Sequence, residues 1–260
     1  MKKKISIVEN HPAQTEFPKV KRYLPIFALS LAILPTVAMS SELIDNGAIV
    51  NVPDMHSSPW SFTGNLTVGD IGTGELNIVA GSSVTTASNG LIGNSATGVG
   101  TVNLDNGSSW TVNANILSIG NNGTGTLDIK GGSKVNASGA SGAIYIGRYA
   151  GSSGVATVSG SDSLLSSTFD VNIGVAGSGT LEILNGAVAK SRKGIIASGA
   201  NSEGHVTVSD PDSQWQLANG ISIASGANSI GTLTIANGAS VSAGGSVTTV
   251  GGGGYRRQHQ

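Results

Sequence analysis

The sequence predicts an all-β fold, a right-handed parallel β-helix (a solenoid) of about seven full coils with three short strands in each coil. Three observations predict it. An aliphatic residue followed by glycine or alanine returns at a nearly constant interval. Each repeat contains three apolar segments in a constant order, and asparagine- and glycine-rich turns separate them. A period of this length is typical of stacked repeats rather than of a globular domain.

The first apolar segment of each repeat carries the recurring dipeptide. It occurs as Val68-Gly69, Ile92-Gly93, Ile119-Gly120, Ile146-Gly147, Ile173-Gly174, Ile196-Ala197, Ile223-Ala224 and Val250-Gly251. The interval is 27 residues in most repeats. We therefore expect Ile119, Ile146 and Ile173 to lie in one inward-facing stack, with neighbouring coils about 4.8 Å apart.

The second and third segments alternate apolar and polar residues, as strands do. The second segment appears as Leu76–Ile78, Val102–Leu104, Leu127–Ile129, Leu181–Ile183 and Leu233–Ile235, with Val158 and Val208 in the same position. The third contains one bulky or branched residue, namely Val84, Trp110, Val135, Leu165, Trp215 or Val241. After residue 41 no segment of helical length shows an apolar period of 3.6 residues.

The turns that follow the second segment contain residues that tolerate positive φ. They are Asn106-Gly107, Gly131-Gly132, Asn185-Gly186 and Asn237-Gly238. Asn-Gly also occurs in two-residue hairpins. A hairpin meander would recur every 8–12 residues or so, which the 27-residue interval disfavours.

Spacing between the first and second segments varies more than spacing between the second and third. This predicts that insertions collect in one turn, where they either form a binding face or reflect the tolerance of exposed turns. Repeats with Asp/Asn-rich turns and a bulky third segment alternate with repeats that have Gly-rich turns, which indicates duplication of a two-coil unit.

Residues 1–40 are predicted to be a cleaved signal peptide, and residues 41–67 a degenerate N-terminal coil or cap. Basic residues precede an apolar stretch from Leu24 to Met39, and small residues follow it. A membrane anchor is the alternative, although the stretch is short for a span. In residues 41–67, Leu43–Gly47 would be a second segment with its turn and Val50 a third segment, with Trp60 and Phe62 in a longer connection.

The repeats are assigned to residues 68–251, followed by a non-repeat tail at 252–260. Without residues 1–40 the chain contains 8 Lys/Arg and 13 Asp/Glu, a formal net charge of −5, so nucleic acid is not an expected partner. The groups Lys190-Arg192-Lys193 and Arg256-Arg257 are predicted to be a solvated turn and tail. Cysteine is absent, which excludes disulfides and Cys-ligated zinc.

Three repeat phrases, Gly123–Ile129, Gly177–Ile183 and Gly231–Ile235, resemble the passenger repeats of AIDA-type autotransporter adhesins, which use type V secretion in Gram-negative bacteria. The resemblance covers about residues 42–251. It implies an exported protein of the cell surface that mediates adhesion, autoaggregation or biofilm contacts. Its implied partners are host or bacterial surface components, glycans or further copies of itself, with no small-molecule substrate.

Members of that family end in a translocator that forms an outer-membrane barrel. The repeats here run directly into a short tail. The expectation is therefore a passenger truncated before the translocator, located in the periplasm, with the cell surface or outer membrane expected for an intact relative. A non-functional fragment, such as a pseudogene product, is an alternative.

A polysaccharide-acting β-helix enzyme is the other alternative. Asp128 and Glu182 occupy equivalent positions two coils apart, which places them about 10 Å from each other, with no basic partner expected in register. His205 is expected to be exposed near Asp210, in a region without a nucleophile motif. The sequence predicts no enzyme, no catalytic, cofactor-binding or metal-binding residues, and no cofactor.

Overall fold

The computed structural model describes residues 40–245 and 249–250, which form strands in three parallel sheets. Strands are numbered in chain order. Sheet 1 contains β1 (Glu42–Ile44), β4 (Leu66–Val68), β7 (Gly90–Ile92), β10 (Leu117–Ile119), β13 (Ile144–Ile146), β16 (Val171–Ile173), β19 (Gly194–Ile196), β22 (Ile221–Ile223) and β25 (Thr249–Val250). Sheet 2 contains β2 (Ala48–Val52), β5 (Thr73–Ile78), β8 (Val99–Leu104), β11 (Thr124–Ile129), β14 (Ser153–Ser159), β17 (Ser178–Leu184), β20 (Glu203–Ser209) and β23 (Ile230–Ala236). Sheet 3 contains β3 (Trp60–Phe62), β6 (Ser83–Thr86), β9 (Ser109–Val112), β12 (Lys134–Ala137), β15 (Leu164–Ser167), β18 (Val188–Ser191), β21 (Gln214–Leu217) and β24 (Ser240–Ala243).

Each coil takes one strand from each sheet, so coil 1 is β1–β3 and coil 8 is β22–β24. The predicted fold class, an all-β parallel β-helix with three short strands per coil, is confirmed. The described chain makes about eight turns, because the segment predicted as a degenerate coil completes a turn of its own. No stretch of the described chain forms an apolar helix of membrane-spanning length.

The predicted inward stack is confirmed by the strand register. Ile119 pairs with Ile146, and Ile146 pairs with Ile173. All three side chains are fully buried. The same position continues along sheet 1 as Ile44, Val68, Ile92, Ile119, Ile146, Ile173, Ile196, Ile223 and Val250. Identical aliphatic contacts from coil to coil therefore form one side of the core.

The third predicted segment also stacks in register. Its ladder in sheet 3 is Trp60, Val84, Trp110, Val135, Leu165, Ala189, Trp215 and Val241. Every predicted member is present, and Ala189 fills the coil for which no bulky residue was identified. Trp60 also belongs to this ladder rather than to a connection.

The assignment of segments within coil 1 was therefore wrong. Ile44 stacks on Val68 in sheet 1, and Val50 pairs with Leu76 in sheet 2, so Asn46-Gly47 lies in the first turn of the coil and not the second. Its sequence looks like a second turn because both turns need positive φ. The structural difference is that the turn packs against the first turn of coil 2, through the carboxylate of Asp45.

Glycine is required where the chain turns from sheet 1 into sheet 2. Gly120 has φ of 67°, and a Cβ there would lie 2.2 Å from the carbonyl oxygen of Ser153 in the next coil. A second glycine enters each following strand and forms an inward ladder in sheet 2, consisting of Gly74, Gly100, Gly125, Gly154, Gly179, Gly204 and Gly231. The backbone of the preceding sheet-1 strand leaves these positions no room for a side chain.

The Asn-Gly turns have the predicted conformation, with φ of 55° at Asn106 and 73° at Gly107. The prediction that insertions collect in one turn was wrong, because two of the connections vary in length. The connection from sheet 1 to sheet 2 varies, from 69–72 to 93–98, but so does the connection from sheet 3 back to sheet 1, from 192–193 to 138–143. Both lie outside the stacked strands, where extra residues do not disturb the core.

Candidate interaction surface

The outward faces of the sheets carry ladders of polar side chains. In sheet 2, the amide of Asn77 donates to Asn51 Oδ1 at 2.9 Å, and the amide of Asn103 donates to Asn77 Oδ1 at 2.8 Å. Parallel pairing in register brings equivalent residues directly beside one another, so each amide satisfies the next. The lateral surface is thus regular, hydrogen-bonded and flat in this region.

A second polar chain runs along the first turns of coils 2 to 5. Asn94 Nδ2 donates to Asp70 Oδ1 at 2.7 Å, Asn121 Nδ2 donates to Asn94 Oδ1 at 3.0 Å, and Arg148 Nη1 donates to Asn121 Oδ1 at 3.3 Å. The chain begins at a carboxylate and ends at a guanidinium, so both amide dipoles point the same way. Such aligned hydrogen bonds polarise one another. They hold Arg148 in a defined position.

Arg148 also lies between two tyrosine rings. Its Cζ is 4.7 Å from the ring centroid of Tyr145 and 4.8 Å from that of Tyr149. Tyr149 is 45% exposed. Tyr and Arg are, with Trp, enriched among the residues that contribute most to binding between proteins, and Tyr buries a large area at low entropic cost. We call Tyr145, Arg148 and Tyr149 the tyrosine–arginine patch.

The sequence contains a signal for this patch. Two of the four tyrosines of the chain lie within five residues, on either side of an arginine. The period placed Ile146 inward, and Tyr145 alternates with it along the strand. The period does not predict the conformation of the following turn, which brings Arg148 and Tyr149 over that strand.

A groove of about 440 Å³ opens at the end of sheet 3, across coils 5 to 7. It is lined by Ser167, Thr168, Lys190, Ser191, Arg192, Gln216, Leu217 and Ala218. We call it the basic groove. Lys190 and Arg192 therefore line a concave surface, whereas the sequence predicted a solvated turn for them; both remain exposed to solvent.

Arg192 is fixed at the edge of the basic groove. Its Nε and Nη2 donate to the two carboxylate oxygens of Asp170 at 2.8 and 2.9 Å, and its Cζ lies 5.0 Å from the ring centroid of Phe169. The hydrogen bonds to Asp170, followed by the charge of Asp170, raise the pKa of Arg192. A two-point contact of this kind defines the plane of the guanidinium as well as its position.

Asp128 and Glu182 lie where the register was predicted to place them. Both pair with Thr157, which stands between them in sheet 2. The Thr157 hydroxyl donates to Glu182 Oε2 at 3.4 Å. In register Asp128 pairs with Asn103 and Thr157, neither of which is basic, but Lys130 Nζ lies 3.4 Å from its Oδ2. This neighbour comes from the same strand end rather than from an adjacent coil.

The two histidines of the described residues contact different groups. His205 is half-buried on β20, and not exposed as predicted, and its Nδ1 lies 2.8 Å from Thr232 Oγ1 of the next coil. His56 stacks on Trp60 with 3.9 Å between the ring centroids. No group of three or more His, Cys, Asp or Glu side chains suited to a metal ion occurs among the described residues.

Asp45 is the one buried carboxylate of the described core and serves the fold. It accepts the backbone N–H groups of Asp70, Ile71 and Gly72 at 2.9–3.2 Å. Burial raises the pKa of Asp45, and these backbone donors together outweigh burial, so that its pKa is lowered overall. The ionised carboxylate therefore ties the first turn of coil 1 to the first turn of coil 2.

Comparisons with known proteins give one partial match. The uncharacterized lipoprotein YdeK of Escherichia coli (strain K12) is 35% identical over 142 residues, which cover 52% of this chain and 10% of that protein. The match thus spans about a tenth of the length of this relative. No family model matches the chain, and no solved structure matches it.

Proposed function

We propose that this chain is the β-helical part of an exported cell-envelope protein, similar to an autotransporter passenger, and that it acts as an adhesin. Its lateral surface would contact host or bacterial surface components, glycans or further copies of the same chain. The observation that carries the proposal is the tyrosine–arginine patch. An exposed tyrosine and a half-buried tyrosine hold an arginine between them, on a solenoid with very few other aromatic residues.

The proposed location draws on the partial relative. That protein is named a lipoprotein, and lipoproteins are exported and attached to the cell envelope. Export is also the reason we propose for the basic and apolar N-terminal order, which lies outside the described residues apart from Ser40. A cysteine-free fold held by coil-to-coil stacking needs no disulfides in an oxidising compartment.

We propose a contact surface rather than an enzyme because of how the acidic groups are placed. Asp128 and Glu182 are separated by Thr157, and Asp128 is paired with Lys130. The amide and hydroxyl ladders present many similar groups over a long face instead of a few convergent groups in one cleft. Repeated weak contacts on such a face suit avidity between cells.

The proposal is tested by adhesion of the full chain. Purified protein is immobilised, and binding of bacterial and epithelial cells is counted for the wild type, for Tyr149→Ala and for the control Val99→Ala. Val99 is 42% exposed and lies on β8 of sheet 2, two coils from Tyr149 in the first turn of coil 5, so the control removes exposed apolar surface away from the patch. Tyr149→Ala should reduce binding roughly tenfold, as expected for a central aromatic contact, and Val99→Ala should leave it unchanged.

Two results would overturn the proposal. One is that neither kind of cell binds the immobilised protein and that bacteria carrying the full chain do not aggregate and settle. The other is release of reducing sugar from a polysaccharide by the wild type but not by Asp128→Asn or Glu182→Gln. That second result would establish the polysaccharide-acting alternative.

A further inference from the structure

Positive charge is concentrated at one place on an acidic rod. The described residues contain six Lys and Arg side chains, and three of them, Lys190, Arg192 and Lys193, lie within four consecutive residues. Acidic side chains are more numerous, and they lie on sheets 1 and 2 and in the turns, whereas no strand of sheet 3 carries one. The end of sheet 3 in coils 5 to 7 is therefore a local site of attraction for anions on a surface that otherwise repels them.

The basic groove has more free hydrogen-bond donors than acceptors. Among the described residues, the Lys190 ammonium has no hydrogen-bond or ion-pair partner. Arg192 uses Nε and Nη2 for Asp170, which leaves Nη1 free to bind a ligand. Gln216 donates one amide hydrogen to Gln214 Oε1 and has a second available. Three donors from neighbouring coils thus line one groove.

The hydroxyl groups of the groove are set up differently. Ser167 donates to the carbonyl oxygen of Gly142 at 2.6 Å, and Ser191 donates to that of Lys193 at 3.1 Å. Both serine side chains are buried, at 6% and 7% relative exposure, and Ser167 Oγ also accepts the backbone N–H of Phe169, so their hydroxyls serve the fold rather than a ligand. A ligand that suits this groove carries anionic oxygens for the cations and a hydroxyl oxygen for the Gln216 amide.

We propose that the basic groove binds a segment of anionic polysaccharide, whose carboxylate or sulfate groups contact Lys190 and Arg192 and whose hydroxyl groups contact Gln216. This rests on the proposed adhesin function and names a ligand class for it. Nucleic acid is disfavoured, because single strands bind through stacking on open aromatic faces. The nearby ring of Phe169 is already stacked against Arg192.

The experiment measures binding of the purified full chain to three polysaccharides and one nucleic acid. The probes are polygalacturonate for carboxylates, heparin for sulfates, neutral dextran and single-stranded DNA. The groove variants are Lys190→Gln and Arg192→Lys. The matched control is Lys134→Gln, which makes the same charge change at an exposed position on sheet 3, in coil 4.

Lys190→Gln should weaken binding of at least one anionic polysaccharide roughly tenfold, and Arg192→Lys should weaken it also, because lysine cannot reproduce the guanidinium contacts. Lys134→Gln should have no effect, and added salt should weaken binding. Binding of polygalacturonate alone assigns carboxylates, and binding of heparin alone assigns sulfates. All variants should have the same melting temperature as the wild type, since the substituted side chains are exposed.

Three results would overturn the inference. They are an equal loss in Lys134→Gln, which indicates unspecific attraction; DNA that binds as tightly as the polysaccharides; and no binding of either anionic polysaccharide. If adhesion through Tyr149 persists in the last case, only the groove assignment fails. If both are absent, the proposed function fails with it.

Discussion

Coils 3 and 7 accommodate a buried tryptophan in the same way, but they differ in the hydrogen bonding of its indole N–H. Each contains a buried tryptophan in sheet 3 and a glycine in sheet 1. A Cβ at Gly90 would lie 2.6 Å from Trp110 Cζ2, and a Cβ at Gly194 would lie 2.5 Å from Trp215 Cη2. Each indole therefore fills the space that a sheet-1 side chain occupies in other coils.

Coil 1 has Glu42 and Trp60 at the two positions, and the remaining coils place aliphatic residues at both. Coil 4, for example, has Leu117 in sheet 1 and Val135 in sheet 3, both fully buried. Side chains from sheets 1 and 3 thus fill the interior of a coil together. A tryptophan opposite a glycine fills about the same volume as two aliphatic side chains. Close packing of this kind tolerates exchange of volume between neighbours but not a change in the total.

The difference lies in the indole N–H. Trp110 Nε1 donates to Thr86 Oγ1 of the preceding coil at 3.0 Å, whereas Trp215 Nε1 is buried without a partner among the described residues. The register puts Ser191 where Thr86 stands in the other coil. Ser191 donates instead to the carbonyl oxygen of Lys193. Threonine is stiffer at χ1 than serine, which helps to hold its hydroxyl toward the indole.

The largest effect is expected from Gly90→Leu and Gly194→Leu. Each introduces a side chain into the space of an indole and should lower the free energy of unfolding by about 3 kcal/mol, at the upper end of the cost of overpacking. Urea denaturation of the full chain measures it. Gly90→Leu combined with Trp110→Val reproduces the residues of coil 4 and should recover much of the loss. A double variant no more stable than Gly90→Leu alone would contradict the shared-volume interpretation.

A smaller effect separates the two hydroxyl positions. Thr86→Val keeps the shape of the side chain but leaves the indole N–H of Trp110 without an acceptor, at a cost of about 2 kcal/mol. Ser191→Ala should cost less, because no indole depends on that hydroxyl. Both are compared by urea denaturation. If Ser191→Ala is the more costly of the two, the hydrogen bond of Trp110 does not account for the difference between the coils.

The smallest expected effect compares the two indoles directly. Trp110→Phe and Trp215→Phe leave similar cavities, but only the first removes a satisfied hydrogen bond. Trp110→Phe should therefore be more destabilising by about 1 kcal/mol. Thermal unfolding monitored by circular dichroism, with both variants measured at equal concentration, gives the difference. Equal costs would show that the cavity alone determines the stability of both variants.

Sequence patterns predicted the strands, their order and the inward stack of Ile119, because a strict period in a parallel solenoid places equivalent residues side by side. They were wrong for coil 1, since Asn46-Gly47 is compatible with either of two turns. They also did not reveal that Trp110 fills the space left by Gly90, although both residue types differ from those at the equivalent positions of neighbouring repeats. A glycine where most other repeats carry Leu, Ile or Val is the signal that could have found it.

The candidate surface was less accessible to sequence reasoning. The basic residues at 190–193 were recognised, but only the structure placed Lys190 and Arg192 along a groove with Gln216 and paired Arg192 with Asp170. The tyrosine–arginine patch was missed for the same reason. In both cases the contacts arise where a turn of variable length brings its side chains over a strand or a neighbouring turn.

The amino-acid sequence by itself therefore determined the coil in the regular repeats, because period, alternation and turn residues are local properties that repetition reinforces. The tertiary structure alone decided which side chains of different coils meet: Thr86 with Trp110, Asp170 with Arg192, and Asn121 with Arg148. These contacts depend on turn length and on side-chain direction to within about an ångström, since a hydrogen bond weakens steeply beyond its narrow range of distance and angle.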